Sequence, residues 1–105
     1  MTYEKALIAL ADPSRRRIFE CLRDAPHSVA EIAKLQPISR PAVSQHLKVL
    51  QEAGLVNVEP RGTSRVYGIR PEGLADLRTY LDGFWPDVLA AYAREVHRQT
   101  GEDNG

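Results

Sequence analysis

The chain has 105 residues, 43% of them hydrophobic and 27% charged, which is the composition of one globular domain and excludes a disordered chain. Its 14 basic and 14 acidic residues give a formal net charge of zero. No apolar run approaches the roughly 18 residues of a membrane span, and a single cysteine excludes an internal disulfide. We expect a cytoplasmic protein with one domain over residues 1–100 and a polar, disordered tail over 101–105.

The first two helices are predicted from periodicity and from capping residues. Tyr3–Leu10 carries apolar residues at helical spacing. Asp12 then serves as an N-cap, and Pro13 occupies the first position of a second helix. We expect this second helix to end near Arg23, before a proline-containing break.

The third and fourth helices follow at once. Ser28 and Glu31 have the spacing of a capping box, which predicts a short helix over 29–35. Ser39 can cap the next helix, and Gly54 supplies its left-handed end. A short helix that turns into a longer one is typical of a helix-turn-helix.

The pattern then changes from helical to alternating. Residues 55–59 and 65–69 are rich in Val, Tyr and Ile and flank a basic, glycine-containing tip, which predicts a β-hairpin. Pro71 starts a final long helix, which Pro86 should kink or split near Trp85. A buried seam is predicted along this helix from its apolar positions Leu74, Leu77, Leu81, Phe84, Val88 and Tyr92. The predicted fold is mainly α, a winged helix-turn-helix of order α-α-α-α-β-β-α.

The charges are unevenly distributed although they cancel overall. Residues 1–70 hold 11 basic and 7 acidic side chains, whereas residues 71–105 hold 3 basic and 7 acidic ones. The basic excess lies in residues 34–70, with 6 basic against 2 acidic side chains. Such a chain can present a basic face to a polyanion, although chance clustering of solvated charge explains a difference of this size equally well.

The fourth helix has a polar arc suited to reading DNA. Arg40, Ser44, Gln45 and Lys48 fall on that arc, and the acidic Glu52 comes only near its end. Arg suits guanine, Gln suits adenine and Ser suits several bases in the major groove. The opposite arc is apolar and consists of Ala42, Val43, Leu47, Val49, Leu50 and Ala53. An ordinary amphipathic surface helix is the alternative, which the scarcity of acidic residues disfavours.

Three other features have simpler interpretations. His46 falls on the apolar arc, so we expect a half-buried, packed histidine rather than a base reader or a metal ligand. Cys21 is expected to be a buried, inert side chain. The basic cluster at residues 15–17 is either a phosphate contact or an ordinary solvated cluster.

Three strings of residues resemble the arsenic-repressor (ArsR-like) family of bacterial transcription regulators. Ala9–Ile18 is similar to the opening of that family, Ile38–Leu50 to its recognition helix, and Glu52–Val56 to the turn into its wing. The resemblance implies a homodimer that pairs through its first and last helices. It also implies binding to a palindromic operator, usually with repression of the protein's own operon until an effector arrives.

The resemblance also implies roles for particular residues. It assigns base contacts to Arg40, Ser44 and Gln45, and minor-groove or backbone contacts to Arg61 and Arg65. The expected DNA-binding set is Ser39, Arg40, Ser44, Gln45, Lys48, Arg61, Thr63 and Arg65. The expected dimer interface is Tyr3, Leu7, Leu81, Phe84, Trp85, Val88 and Tyr92.

The departures from the family concern its sensor sites. Ser28 and Ala30 stand where metal-sensing relatives carry cysteines, and the last helix lacks the Asp and His ligands of zinc-binding relatives. We therefore expect no metal or cofactor within a chain, although a site assembled across a dimer stays open. The aromatic residues of the last helix either pack in the interface, which we favour, or line a pocket between subunits.

Two other classes of function are alternatives to DNA binding. A winged-helix module that binds protein would show an exposed apolar patch on the recognition face, which the pattern makes polar. An enzyme is disfavoured because no nucleophile triad, phosphate loop or paired catalytic carboxylate stands out.

Overall fold

The computed structural model describes the backbone of residues 2–104 and the side chains of residues 3–100. The part described forms a mainly helical domain with one antiparallel hairpin, as predicted for a winged helix-turn-helix. Its elements are α1 (Thr2–Ala11), α2 (Pro13–Cys21), α3 (Val29–Leu35), α4 (Arg40–Glu52), β1 (Val56–Arg61), β2 (Ser64–Ile69), α5 (Pro71–Asp82) and α6 (Trp85–Asn104).

The predicted caps are present at the starts of the helices. The Asp12 carboxylate accepts a hydrogen bond from the backbone N–H of Arg15 at 2.9 Å. At α3 both bonds of the capping box form, with Ser28 Oγ accepting from the Glu31 N–H and Glu31 Oε1 accepting from the Ser28 N–H. Ser39 Oγ accepts from the N–H of Ala42 at 3.3 Å. These bonds satisfy amides that a helix leaves unpaired in its first turn.

The predicted strands, 55–59 and 65–69, run over Val56–Arg61 and Ser64–Ile69, and two predicted helix ends lie two or more residues away from those of the structure. The second helix ends at Cys21 rather than near Arg23, because Leu22 leaves the helical path while its side chain stays buried. The backbone of α6 is helical to Asn104, within the segment 101–105 that was predicted as a disordered tail. The side chains of that segment lie outside the described residues, and a domain end at residue 100 stays a prediction.

The hairpin forms the wing. Its register pairs Val56 with Ile69 and Arg61 with Ser64, which leaves a two-residue turn at residues 62–63. Gly62 has φ +63°, and such tight turns favour glycine at the first central position. The backbones of His27 and Tyr67 exchange two hydrogen bonds of 2.9 and 2.8 Å, which attach the segment before α3 to β2.

The core lies between α2, α3, α4 and the base of the wing. Helix α1 contributes to it as well, and the side chains at or below 2% exposure are Ala6, Ala9, Ile18, Leu22, Ile32, Val43, Leu47, Leu50, Leu55 and Val56. Val49 was predicted on the buried arc of the fourth helix but is 36% exposed. It lies near α1, where it shares a surface depression with Ile8.

The last predicted helix is two helices. The α5 helix starts against the α4–β1 turn, where a Cβ at Gly73 would collide with the carbonyl of Gly54. Helix α5 ends at Asp82 with Gly83 as its C-cap, and α6 begins at Trp85, where the split was predicted. Pro86 lies in the first turn of α6, where proline is tolerated. The predicted seam is not buried within one chain, because from Leu81 to residue 100 every side chain is exposed. Within the described range, no helix combines the length and the apolar character needed to cross a membrane.

Candidate nucleic-acid interface

A tight turn fixes the angle between α3 and α4. The N–H of Gln36 closes α3 on the carbonyl of Ile32, and the N–H of Ile38 bonds the carbonyl of Gln36 at 2.8 Å. Ile32 and Val43, one from each helix, are fully buried where the two helices pack. Since α4 also packs against α2, one face of α4 is held by the core and the opposite face is exposed.

The exposed face of α4 carries the predicted polar residues. Arg40, Ser44, Gln45 and Lys48 are all exposed on it, and Glu52 is the first acidic side chain along the helix. Ser39 is also exposed, but its hydroxyl oxygen accepts the capping bond, so it positions the helix whatever else it contacts. The structure therefore brings the predicted residues of α4 together on one surface.

The wing presents Arg61, Thr63 and Arg65 as exposed side chains at its tip. The register places Arg61 beside Ser64 and Arg65 beside Pro60. Because side chains alternate along a strand, the two arginines project from opposite faces of the hairpin. The sequence pattern grouped them as one basic tip, whereas the structure separates them across it.

An acidic side chain lies between α3 and the wing. Glu31 Oε1 is 2.8 Å from the Ser28 nitrogen and 3.8 Å from His27 Nδ1. The hydrogen bond from the Ser28 N–H, assisted by the charges of His27 and Arg61, holds the pKa of Glu31 below its usual value. The imidazole Nδ1 is buried without a hydrogen-bond partner in the described part of the chain.

The basic cluster at residues 15–17 was predicted to be either a phosphate contact or a solvated cluster, and the structure shows another role. Arg15 Nε donates to the Ala9 carbonyl at 2.7 Å, and Arg16 Nη1 donates to the Leu10 carbonyl at 2.8 Å. These are carbonyls at the end of α1, where cations are favoured by the helix dipole. Two cationic side chains directly after the end of α1 were the sequence signal for this capping. The signal is weak, because the carbonyls that they contact lie six residues earlier in the chain. The cluster is in part a C-terminal cap of α1.

The structure agrees with the prediction for His46 and differs from the prediction for Cys21. His46 is half-buried, as predicted. The bond from the Arg15 N–H lowers the pKa of Asp12, and the charges of Arg15 and His46 lower it further. Cys21 is partly exposed rather than buried, and its Sγ lies 3.1 Å from the amide nitrogen of Gln36, which donates to it. This hydrogen bond links the end of α2 to the C-cap residue of α3.

The predicted dimer residues form an apolar surface along α1, α5 and α6. Tyr3 is partly buried, because its ring stacks on Tyr80 at 4.3 Å, and Tyr80 meets Phe84 edge-on at 5.2 Å. Trp85 Nε1 donates to the Asp82 carboxylate at 3.2 Å. The other six predicted residues are 40% to 69% exposed in a single chain; they are Leu7, Leu81, Phe84, Trp85, Val88 and Tyr92. Across the described residues, no three His, Cys, Asp or Glu side chains come together as a metal site.

Comparison with known proteins adds independent evidence. The helix-turn-helix domain family matches residues 10–59, which span α2, the helix-turn-helix and part of the wing. A relative from Mycobacterium tuberculosis, an HTH-type transcriptional regulator, is 52% identical over 100 residues, covering 95% of this chain and 92% of the relative.

Two solved structures share the fold. An ArsR-like transcriptional regulator from Rhodococcus superposes with a TM-score of 0.75 at 29% identity, covering 89% of this chain and 91% of its own. A homodimeric winged helix-turn-helix DNA-binding domain from Mycobacterium bovis, a possible ArsR-family regulator, gives 0.66 at 27% identity, covering 77% and 75%. These similar proteins are regulators of transcription rather than enzymes.

Proposed function

Because this chain belongs to the ArsR family of winged helix-turn-helix regulators and is a DNA-binding transcriptional repressor, we propose that it acts as a homodimer on a palindromic operator. In this proposal the operator lies in its own promoter, and an effector not yet identified releases the protein. The observation that carries the proposal is the exposed face of α4, which is polar, almost free of acid, and held rigidly by a buried opposite face.

The recognition helix is α4, with its N-terminal half in the major groove. Arg40, Ser44 and Gln45 reach base edges there, since the N-terminal residues of such a helix are the ones that contact bases. Arg bonds guanine and Gln bonds adenine in a two-bond geometry that only the correct base completes. Lys48, one turn further along, neutralises a phosphate, and Ser39 fixes the start of the helix.

The wing supplies contacts to the DNA backbone. With Arg61 and Arg65 on opposite faces of the hairpin, a wing that lies edge-on along the minor groove reaches phosphates on both strands. Thr63, in the turn between them, is small enough to approach the sugar-phosphate surface. These contacts add affinity without reading sequence.

The dimer is built from α1, α5 and α6. A long helix whose apolar side chains are all exposed is typical of a surface that a partner covers. The homodimeric relative supports pairing of two copies in this fold. Two-fold symmetry then sets the two recognition helices about one DNA turn apart, roughly 34–36 Å.

Fluorescence anisotropy with DNA from upstream of the protein's own gene tests this function. We expect tight binding that falls steeply as salt rises, and weak binding to a scrambled duplex of the same length. Equal, weak binding to both duplexes would contradict sequence-specific repression and favour a module that binds protein. Repeating the titration with the operator concentration well above the dissociation constant gives the number of protein chains bound per operator.

A further inference from the structure

A cavity lies away from the proposed DNA-reading surface. It has a volume of 350 Å³ and opens between the end of α1, the outer side of α2, the end of β2 and the start of α5. Its walls are apolar and come from Leu10, Phe19, Ile69 and Leu74. Small-molecule sites have volumes of about 300–1,000 Å³ and apolar walls with a few polar groups, so this cavity falls at the small end of that class.

The rim of the cavity is charged and carries a net positive charge. Arg16, Glu20 and Arg23 occupy positions i, i+4 and i+7 of α2 and its end, which places them along one side. Arg16 Nη1 donates to the Leu10 carbonyl at 2.8 Å, and the residue also lines the cavity. The Arg23 N–H donates to the Glu20 carbonyl at 3.1 Å. Among the described side chains, no hydrogen bond or ion pair engages the Arg23 guanidinium, and none joins the Glu20 carboxylate to either guanidinium.

Helix α5 forms one wall of the cavity and packs against α1 as well as against the α4–β1 turn. The absence of a side chain at Gly73 lets the first turn of α5 rest on the carbonyl of Gly54. The next side chain, Leu74, then covers the cavity without filling it and remains 36% exposed. An apolar ligand entering here would bury Leu74 without displacing a packed side chain.

We propose that this cavity binds a medium-chain carboxylate, with its alkyl chain against the apolar walls and its carboxylate on Arg23 and Arg16. A guanidinium presents parallel N–H groups that match the two oxygens of a carboxylate. The Glu20 carboxylate on the same rim disfavours a ligand with a larger negative charge, such as a phosphate. An alkyl alcohol would fill the walls but leave the arginines without a charged partner.

The position of the cavity links ligand binding to DNA binding. Its walls connect α5 to α2, which packs against α4, and α5 leads into α6, which carries part of the proposed dimer surface. A ligand packed against both Phe19 and Leu74 would restrict the angle between α2 and α5, and hence alter the spacing of the two recognition helices. We expect bound carboxylate to weaken operator binding; this consequence rests on the proposed function, whereas ligand binding does not.

Isothermal titration of the full-length protein with sodium octanoate tests the site. We expect saturable binding that Arg23→Gln weakens roughly tenfold or more, the effect of losing a hydrogen bond between charged groups. Leu74→Trp, which fills the cavity, should abolish binding. Arg17→Gln removes an exposed arginine of α2 that does not line the cavity, so it should leave octanoate binding unchanged.

Octanol has the same number of carbon atoms but no carboxylate, so it distinguishes the contribution of the carboxylate to binding from that of the alkyl chain. Octanol binding equal to that of octanoate, or octanoate binding that Arg23→Gln leaves unchanged, would overturn the proposed carboxylate site. No saturable binding of octanoate would overturn the cavity as a ligand site altogether. Circular dichroism of each variant shows whether it is folded.

Operator anisotropy with and without octanoate tests the link to DNA. We expect octanoate to lower operator affinity in the wild type and to have no effect on Leu74→Trp. Unchanged operator affinity with octanoate bound would overturn the link. A protein that binds octanoate but no operator would instead contradict the proposed function, so the two failures are distinct.

Discussion

The two parts of the molecule differ in how they bury apolar surface. The body, residues 2–70, encloses its own core, with Ile18, Ile32 and Leu47 fully buried. The arm, α5 and α6, has few buried side chains, and from Leu81 to residue 100 it has none. An isolated helix is marginal in water, and its stability in proteins comes from packing an apolar face. The body therefore buries its apolar surface within one chain, whereas the arm exposes the apolar surface that we propose a second molecule covers.

This difference separates two tasks. The residues proposed to read DNA lie on the body, where a rigid core positions them. Most of the residues proposed to bring two recognition helices together lie on the arm, and the others, Tyr3 and Leu7, lie on α1. Substitutions in the arm should therefore change assembly and total affinity, and substitutions on the body should change which sequence is bound.

The largest expected effect is from Val88→Asp, which places a charge in the apolar surface of α6. Burying an unpaired carboxylate is strongly unfavourable, so we expect a monomer in sedimentation equilibrium. Operator affinity should then fall to near the level of non-specific binding, about 10³-fold or more weaker. Ala90→Asp puts the same charge on the opposite side of α6 and should remain dimeric. A Val88→Asp protein that stays dimeric would contradict the arm as the dimer surface.

Gln45→Ala should affect the body's task alone. We expect a loss of about 1–3 kcal/mol in discrimination at particular base pairs, because the variant no longer bonds adenine through two atoms. The dimer mass should be unchanged. Competition anisotropy with single-base-pair operator variants measures the loss, and Gln51→Ala, two turns toward the helix end, is the matched control. An unchanged operator preference would show that Gln45 does not read bases.

The sequence predicted best those features that depend on neighbours within one turn. The bounds 29–35 of α3 were correct because the capping box that starts it is local to Ser28 and Glu31. The proposed reading face was also predictable, since the core holds Val43 and Leu47 on the other side of the helix. A helical period is enough to separate those two faces.

The errors arise where a partner is distant along the chain or on another chain. Arg15 and Arg16 cap carbonyls of the preceding helix, and no local pattern gives the angle between two helices. Val49 has an apolar side chain on the predicted arc, yet it lies beyond the edge of the packed surface. The seam of the last helix was correctly apolar, but a period alone does not say which molecule covers it.

A smaller effect is expected from Arg61→Gln in the wing. Because Arg61 is proposed to contact a phosphate, the variant should bind every sequence more weakly by a similar factor. The dependence of the logarithm of affinity on the logarithm of salt should decrease by about one. Arg94→Gln, on the face of α6 opposite the apolar surface, should leave that slope unchanged. An affinity loss confined to operators with particular base pairs would instead show that Arg61 reads sequence and not the DNA backbone.

The smallest expected effect is a pH dependence of stability within the body. In the folded chain the Ser28 N–H holds the pKa of Glu31 below its usual value of about 4.3. The ionised carboxylate therefore stabilises the fold above that usual value, and this contribution is lost as pH falls through the lowered pKa. Glu31→Gln keeps an oxygen acceptor but does not titrate. The wild type should exceed this variant in free energy of unfolding at pH 7, and the difference should shrink in acid.

Urea unfolding of both proteins at pH 7 and at about pH 3 measures that difference in the free energy of unfolding. Repeating it at several protein concentrations tests whether the difference arises in the body or depends on the dimer. Asp12 and Glu95, whose pKa values are also lowered, are present in both proteins and cancel. Because Ser28, Glu31 and His27 all lie in the body, the difference should be the same at low and high protein concentration. The arm's contribution should instead grow with concentration, since dimerisation stabilises by mass action. A difference that is constant with pH would show that the Ser28–Glu31 bond does not form in solution, whereas one that varies with concentration would place this capping box under the control of the dimer.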